Sequence, residues 1–178
     1  NQMIEKQEND LKELRKELAV LLEMDGFKPE ATELMAGWDP YDQNRSAGFF
    51  DNEWMFGLMK GFDILIGNPP YVSIQRMEDT AALRKANYDT FEKTGDLYSL
   101  FYEQGINLLR DNGILCYITS NKWINANYGK STRKYFATKT NPLVLIDFAK
   151  VKIFESATVF VNILITEKAK NQNQLWAC

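Results

Sequence analysis

Four short runs rich in branched and aromatic residues, at 62–66, 114–119, 143–148 and 159–166, are set apart by stretches that read as helix or irregular chain. Strands separated by whole helices cannot join as tight hairpins, so they pair in parallel with the helices on the sheet faces. The last two runs lie closer together, and their short connection fits an antiparallel return. The expected fold is α/β, a mostly parallel sheet with one antiparallel strand.

An amphipathic helix precedes that sheet. Over residues 3–24, Ile4, Leu11, Leu14, Leu18, Leu21 and Leu22 share one stripe, with Glu and Lys elsewhere. Asp25 and Gly26 end it, glycine being suited to the left-handed position after a helix. The helix reads as a packing or connecting element, or as a short dimerising coiled coil. Residues 28–60 carry Pro29, Gly37, Pro40, Gly48 and Gly57, which break regular elements. The same stretch holds Trp38, Tyr41, Phe49, Phe50, Trp54, Met55 and Phe56, too much apolar surface for a solvated linker. Further helices are expected at 76–87, from about Asp96 with Leu97, Leu100, Phe101, Ile106 and Leu109 inward, and at 129–137. Asp96 and Ser99 read as helix-start residues, and Asp111, Asn112 and Gly113 as the turn into the second strand. The chain divides into an amphipathic helix (1–26), an aromatic-rich irregular segment (27–60), an α/β portion (61–168) and a polar tail (169–178).

Composition narrows the chemistry. The 178 residues are 45% hydrophobic and contain no histidine. Histidine-based catalysis and most metal sites therefore lack their usual parts. Cys116 and Cys178 stand too far apart for a metal spacing, and the chain reads as intracellular and reduced, hence cytoplasmic. No apolar run is long enough to span a bilayer, so no membrane partner is expected. The net charge of −3 is uneven. Between Lys122 and Lys152 lie Lys130, Arg133, Lys134, Lys139 and Lys150, against the single acid Asp147. This strip either faces phosphates or is an ordinary solvated surface. The chain opens on Asn1 rather than Met and closes in polar sequence, and reads as a piece of something longer.

The first strand runs into an unusual sequence, "GFDILIGNPPYV" at 61–72. Each proline locks its own φ and pushes its predecessor out of the helical region. Asn68 and Pro69 are thus held extended, with the Asn68 amide oxygen and the Pro69 carbonyl as neighbouring acceptors. Two acceptors on a stiff turn match a group with two donor hydrogens, such as an exocyclic amine, and Tyr71 adds a flat face for a planar ring. Accepting both hydrogens draws the nitrogen lone pair out of conjugation and stabilises the charge that develops as nitrogen attacks, without a strong base. The plainer alternative is a strand-ending turn with a surface tyrosine. In open α/β sheets, ligands gather beyond the carboxyl ends of the strands, where these residues fall.

The "NPPY" sequence after "FDILIG" resembles the catalytic motif of N6-adenine DNA methyltransferases, in the group whose cofactor motif lies upstream. That group includes the type IIG restriction-modification enzymes. "WDPYDQNRSAGFFDNEWMFG", "TGDLYSLFYEQGINLLRDNGILCYITSNKW" and "LIDFAKVKIFESATVFVNILITEK" extend the resemblance over about residues 30–168. It implies the second half of a Rossmann-like methyltransferase domain. Asn68, Pro69, Pro70 and Tyr71 would be catalytic, and Phe154 in "KIFESATV" would clamp the other face of a flipped adenine. Lys122, Lys130 and Arg133 would face duplex DNA, the partner of the parent protein, and Phe101 would pack against the cofactor, S-adenosylmethionine. Core packing is the competing reading for Phe101 and Phe154. Nothing before residue 60 reads as strand, glycine loop and helix, so the main cofactor motif is expected to be missing and the fragment inactive alone. Its open sheet edge is expected to be covered by the amino-terminal helix, by the aromatic-rich segment, or by a second copy of the chain in a homodimer. Enzymes that methylate glutamine in release factors or guanine-N2 in RNA use a similar turn and form the runner-up, and a non-catalytic interaction module is the other alternative.

Overall fold

The computed structural model describes residues 2–39, 42, 44, 47–149, 151, 153 and 159–178. The chain divides into two compact units, Asn1–Gly57 and Leu58–Cys178.

The first unit is helical. Its elements are α1 (Gln2–Met24), α2 (Pro29–Ala36) and α3 (Asn52–Phe56). Gly26 takes φ +96°, and backbone bonds from Gly26 to Glu23 (3.0 Å) and from Phe27 to Leu22 (3.1 Å) close the helix end as the sequence suggests. Leu22, Met35 and Ala36 are buried between α1 and α2, whereas Ile4, Leu11, Leu14 and Leu21 of the apolar stripe remain exposed. Trp38 and Phe49 meet edge-on at 5.9 Å. The Asp51 carboxylate caps α3 by accepting from the Trp54 amide at 2.7 Å.

The second unit is the sheet and its helices: β1 (Phe62–Gly67), α4 (Ala81–Lys85), α5 (Tyr98–Leu108), β2 (Leu109–Ser120), α6 (Lys122–Asn125), α7 (Gly129–Lys139), β3 (Asn141–Asp147), β4 (Val161–Glu167) and β5 (Trp176–Ala177). The strand order is β1-β2-β4-β3-β5. β1 runs parallel to β2 and β5 parallel to β3, while β4 is antiparallel to both of its neighbours. The expected single reversed strand is therefore β4. It lies between β2 and β3 in the sheet.

The two faces of this sheet differ. On one, Leu115, Tyr117, Leu164 and Leu145 pack with Tyr98, Tyr102 and Ile106 of α5, Trp123 of α6, and Tyr135 and Phe136 of α7. On the other, the register aligns Ile64, Ile66, Ile114, Cys116, Ile118, Ile163, Ile165, Val144 and Ile146. None of these is fully buried, and Ile64 and Ile66, on the edge strand β1, are 60% and 79% exposed.

Several expectations change in detail. The helix expected at 76–87 is instead a 3-10 turn at Ile74–Arg76 followed by α4, with Asp79 accepting from the Ala81 amide at 2.8 Å between them. β2 begins earlier than residue 114. Phe62 pairs with Leu109 and Ile64 with Ile114, so residues 110–113 bulge out of the strand rather than precede it. Asn112 takes φ +60° in that bulge, and Lys168 clamps it, accepting at its carbonyl from the Asn112 amide (3.1 Å). The Lys168 ammonium also donates to the Leu109 carbonyl at 2.6 Å, at the end of α5. Within the polar tail, β5 pairs with β3.

Gly105 sets how closely α5 approaches the sheet. A side chain there would collide with Leu115 and would lie 2.8 Å from the Tyr117 hydroxyl. Gly105→Val should therefore destabilise the chain by about 1–3 kcal/mol through overpacking, read as a lower urea midpoint at unchanged m-value.

Candidate active site

β1 ends on Gly67, and the chain passes through Asn68, Pro69, Pro70 and Tyr71 just beyond that carboxyl end. A side chain at Gly67 would sit 3.0 Å from the Tyr117 ring of the neighbouring strand, so glycine lets β1 end in close contact with that ring. Asn68 and Pro70 are exposed, Pro69 is buried and Tyr71 is half-buried. The Tyr71 hydroxyl donates to the Ile118 carbonyl at 3.3 Å. Its ring meets Tyr98 edge-on, with centroids 6.2 Å apart and planes at 86°. Burial raises the Tyr71 hydroxyl above its ordinary pKa, so it is a neutral donor near pH 7.

The segment after Tyr71 is stitched to the start of α5. The Leu97 amide donates to the Val72 carbonyl at 2.8 Å, the Ile74 amide donates to the Gly95 carbonyl at 3.0 Å, and Ser73 and Asp96 form an isolated β-bridge. Residues 95–97 thereby act as a short strap across the turn.

Asp96 and Ser99 do not start the helix as the sequence suggests. α5 begins at Tyr98 with no side-chain cap, and Ser99 is buried inside it with no partner for its hydroxyl among the described residues. The Asp96 carboxylate instead accepts from the Tyr128 hydroxyl at 2.8 Å, and the Tyr128 and Tyr98 hydroxyls lie 3.3 Å apart. Tyr128 is pushed up to about 12, first by burial and further by the Asp96 carboxylate, with the bond from Tyr98 acting in the other direction.

Three more groups shape the surroundings and were not singled out by sequence reasoning. Glu103, buried on α5, accepts from the amides of Asp89 (3.1 Å) and Thr90 (2.9 Å) and from the Thr90 hydroxyl (2.9 Å). Asn121 donates to Asp147 at 2.9 Å and to the Ala149 carbonyl at 3.3 Å, joining the ends of β2 and β3. Trp123 donates to Asn162 at 3.0 Å beneath the same ends. A buried carboxylate in a helix and a polar "SNKW" directly after a strand were the available signals.

The remaining sequence-predicted residues are spread along neighbouring elements. Lys122 opens α6 and Lys130 lies in the first turn of α7, both exposed. Arg133 is half-buried, and its Nη1 donates to the carbonyls of Trp123 (2.5 Å), Ile124 (3.1 Å) and Ala126 (3.0 Å), tying the turn between α6 and α7. Phe101 is 40% exposed on α5. Phe154, Lys150 and Lys152 lie outside the described residues. Ahead of β1 the described residues form three helices and no strand, so a glycine loop between strand and helix has no counterpart there. A cavity of about 430 Å³, lined by Trp123, Phe136, Pro142, Leu145, Leu164 and Leu175 among others, shares no residue with the turn at 68–71.

The sequence matches the Eco57I restriction-modification methylase family over residues 3–154. The chain belongs to that family. It is 30% identical over 116 residues to the type II restriction enzyme and methyltransferase RM.Eco57I of Escherichia coli, covering 63% of the chain and 12% of the relative. It is 29% identical over 114 residues to the type II methyltransferase M.BstVI of Geobacillus stearothermophilus, covering 64% of the chain and 20% of the relative. This family member thus spans about 12% and 20% of the length of these two relatives. Its fold is shared with the methyltransferase subunit of a type I restriction-modification system from Streptococcus thermophilus (TM-score 0.52, 18% identity, 71% of this chain and 28% of that one). It is also shared with a nuclease-deletion mutant of the type ISP restriction-modification enzyme LlaGI, solved with a DNA substrate mimic (TM-score 0.53, 20% identity, 65% and 14%). The resemblance read from the sequence holds at the level of restriction-modification methylases.

In Glu103→Gln the amide nitrogen cannot accept from the 89–90 backbone. Stability should fall by about 1–3 kcal/mol as buried donors lose their partner, with faster amide hydrogen exchange at Thr90 than at Leu115.

Proposed function

We propose that this methylase chain is the catalytic second half of a DNA methyltransferase that transfers a methyl group from S-adenosylmethionine to N6 of a flipped-out adenine. The observation that carries the reading is the Asn-Pro-Pro-Tyr turn just past the carboxyl end of β1, in a member of a restriction-modification methylase family. Asn68 and the Pro69 carbonyl accept the two hydrogens of the adenine amine. Tyr71 stacks on the base, and Phe154 closes on its other face. The nitrogen gains nucleophilicity because those acceptors favour its tetrahedral form, and the stacking offsets the few kcal/mol that base flipping costs. Lys122 and Lys130 face the DNA phosphates, with Arg133 shaping the turn that presents them. Phe101 offers an aromatic face to the cofactor. The described residues before β1 form no strand and glycine loop that could supply the rest of that site, and we expect the 178-residue chain to be inactive by itself.

The test uses the longer protein that contains this sequence, with labelled S-adenosylmethionine and duplex DNA. N6-methyladenine is the expected product. Asn68→Ala should lower kcat by about 10²–10³-fold, the size of effect seen when one preorganised hydrogen-bond partner of the reacting centre is removed. Methylated glutamine in a release factor, or N2-methylguanine in RNA, with no adenine product would overturn the reading.

A further inference from the structure

Asp96 is a carboxylate near the candidate site that does none of the usual work of an acid at a helix start. Its side chain is committed to a hydroxyl 32 residues away. An ionised carboxylate only accepts hydrogen bonds, so Tyr128 must donate to it. With its one hydrogen used, Tyr128 can only accept from Tyr98, which fixes the direction of the 3.3 Å contact. Tyr98 has no exposed surface, and its ring meets that of Tyr71 in a T-shaped contact at 86°. The strap carrying Asp96 also holds the backbone on either side of Ser73, two residues beyond Tyr71. Side chain and backbone of the turn are therefore referred to the same short segment.

We infer that Asp96 and Tyr128 are positioning residues for Tyr71: the hydroxyl relay from Tyr98 through Tyr128 to Asp96 fixes the ring of Tyr98, and that ring sets the plane on which a substrate base lies. The inference rests on the proposed function for what Tyr71 does, but not for how Tyr71 is held. A relay of neutral hydroxyls ending on one carboxylate is directional, because every proton has one place to go. Packing against Tyr102 holds the body of the Tyr98 ring, and the relay adds a directional restraint at its hydroxyl end.

The first measurement needs no activity. In the 178-residue chain with 13C-labelled tyrosine, the Tyr71 ring signals should shift in Tyr128→Phe and in Asp96→Ala. They should stay in place in Tyr88→Phe, which removes a hydroxyl that donates to Gln104. Asp96→Asn, whose amide oxygen still accepts, should restore the wild-type signals. The second uses the longer protein: Tyr128→Phe and Asp96→Ala should each lower kcat about tenfold, as expected for a slightly misplaced reacting group, with KM for DNA and the melting temperature nearly unchanged. The double variant should be no worse than the poorer single one, because both break one relay. Unmoved Tyr71 signals, wild-type kcat in both variants, or losses that add would overturn the inference. Moved signals in these variants, together with a wild-type longer protein that does not methylate adenine, would uphold the positioning and refute the proposed function.

Discussion

The ring of Tyr102 is what the sheet unit is built around. It has no exposed surface and meets four other rings, Phe136 at 5.0 Å, Tyr117 at 5.7 Å, Trp123 at 6.1 Å and Tyr98 at 6.4 Å. A buried phenol is costly unless its hydroxyl is bonded. Here it is paired with the Thr119 hydroxyl at 2.8 Å, and Thr119 in turn donates to Asn162 at 3.2 Å. The Asn162 oxygen also receives the Trp123 indole. One short polar string inside an apolar cluster thus joins α5, β2, β4 and α6, and burial keeps the Tyr102 hydroxyl protonated far above neutral pH.

That arrangement reaches the turn at 68–71 in two steps. Tyr102 fixes Tyr98 from one side, and Tyr98 meets Tyr71 on the other. The exposed part of the turn is rigid for local reasons, the two prolines, and oriented for tertiary ones, the aromatic stack and the 95–97 strap. Loop residues do chemistry well when a scaffold positions them in this way. Neither contribution suffices without the other. Prolines stiffen a turn but do not aim it.

Much of this was legible in the sequence. Four of the five strands and the reversal of β4 followed from apolar runs and connection lengths, the short β5 in the polar tail did not, and Gly26 announced the end of α1. The turn itself was legible because proline acts on its own backbone and its neighbour. Long-range pairings were not. Nothing local says that Asp96 prefers a tyrosine hydroxyl to the α5 backbone, or that Arg133 spends Nη1 on carbonyls of the preceding turn. The 76–87 segment has helical composition, yet tertiary contacts at 72–74 and the Asp79 bond divide it. The bulge at 110–113 was seen as a turn because its residues favour left-handed backbone; that β2 starts ahead of it depends on β1 and could not be read locally.

The isoleucine face of the sheet has a thermodynamic consequence. Heat capacity on unfolding and denaturant sensitivity both scale with the surface newly exposed. Ile64, Ile66 and their aligned neighbours are already in contact with solvent in the folded chain. Calorimetry on this polypeptide should therefore give a shallower stability curve than its length would suggest, flat at low temperature and slow to fall on warming.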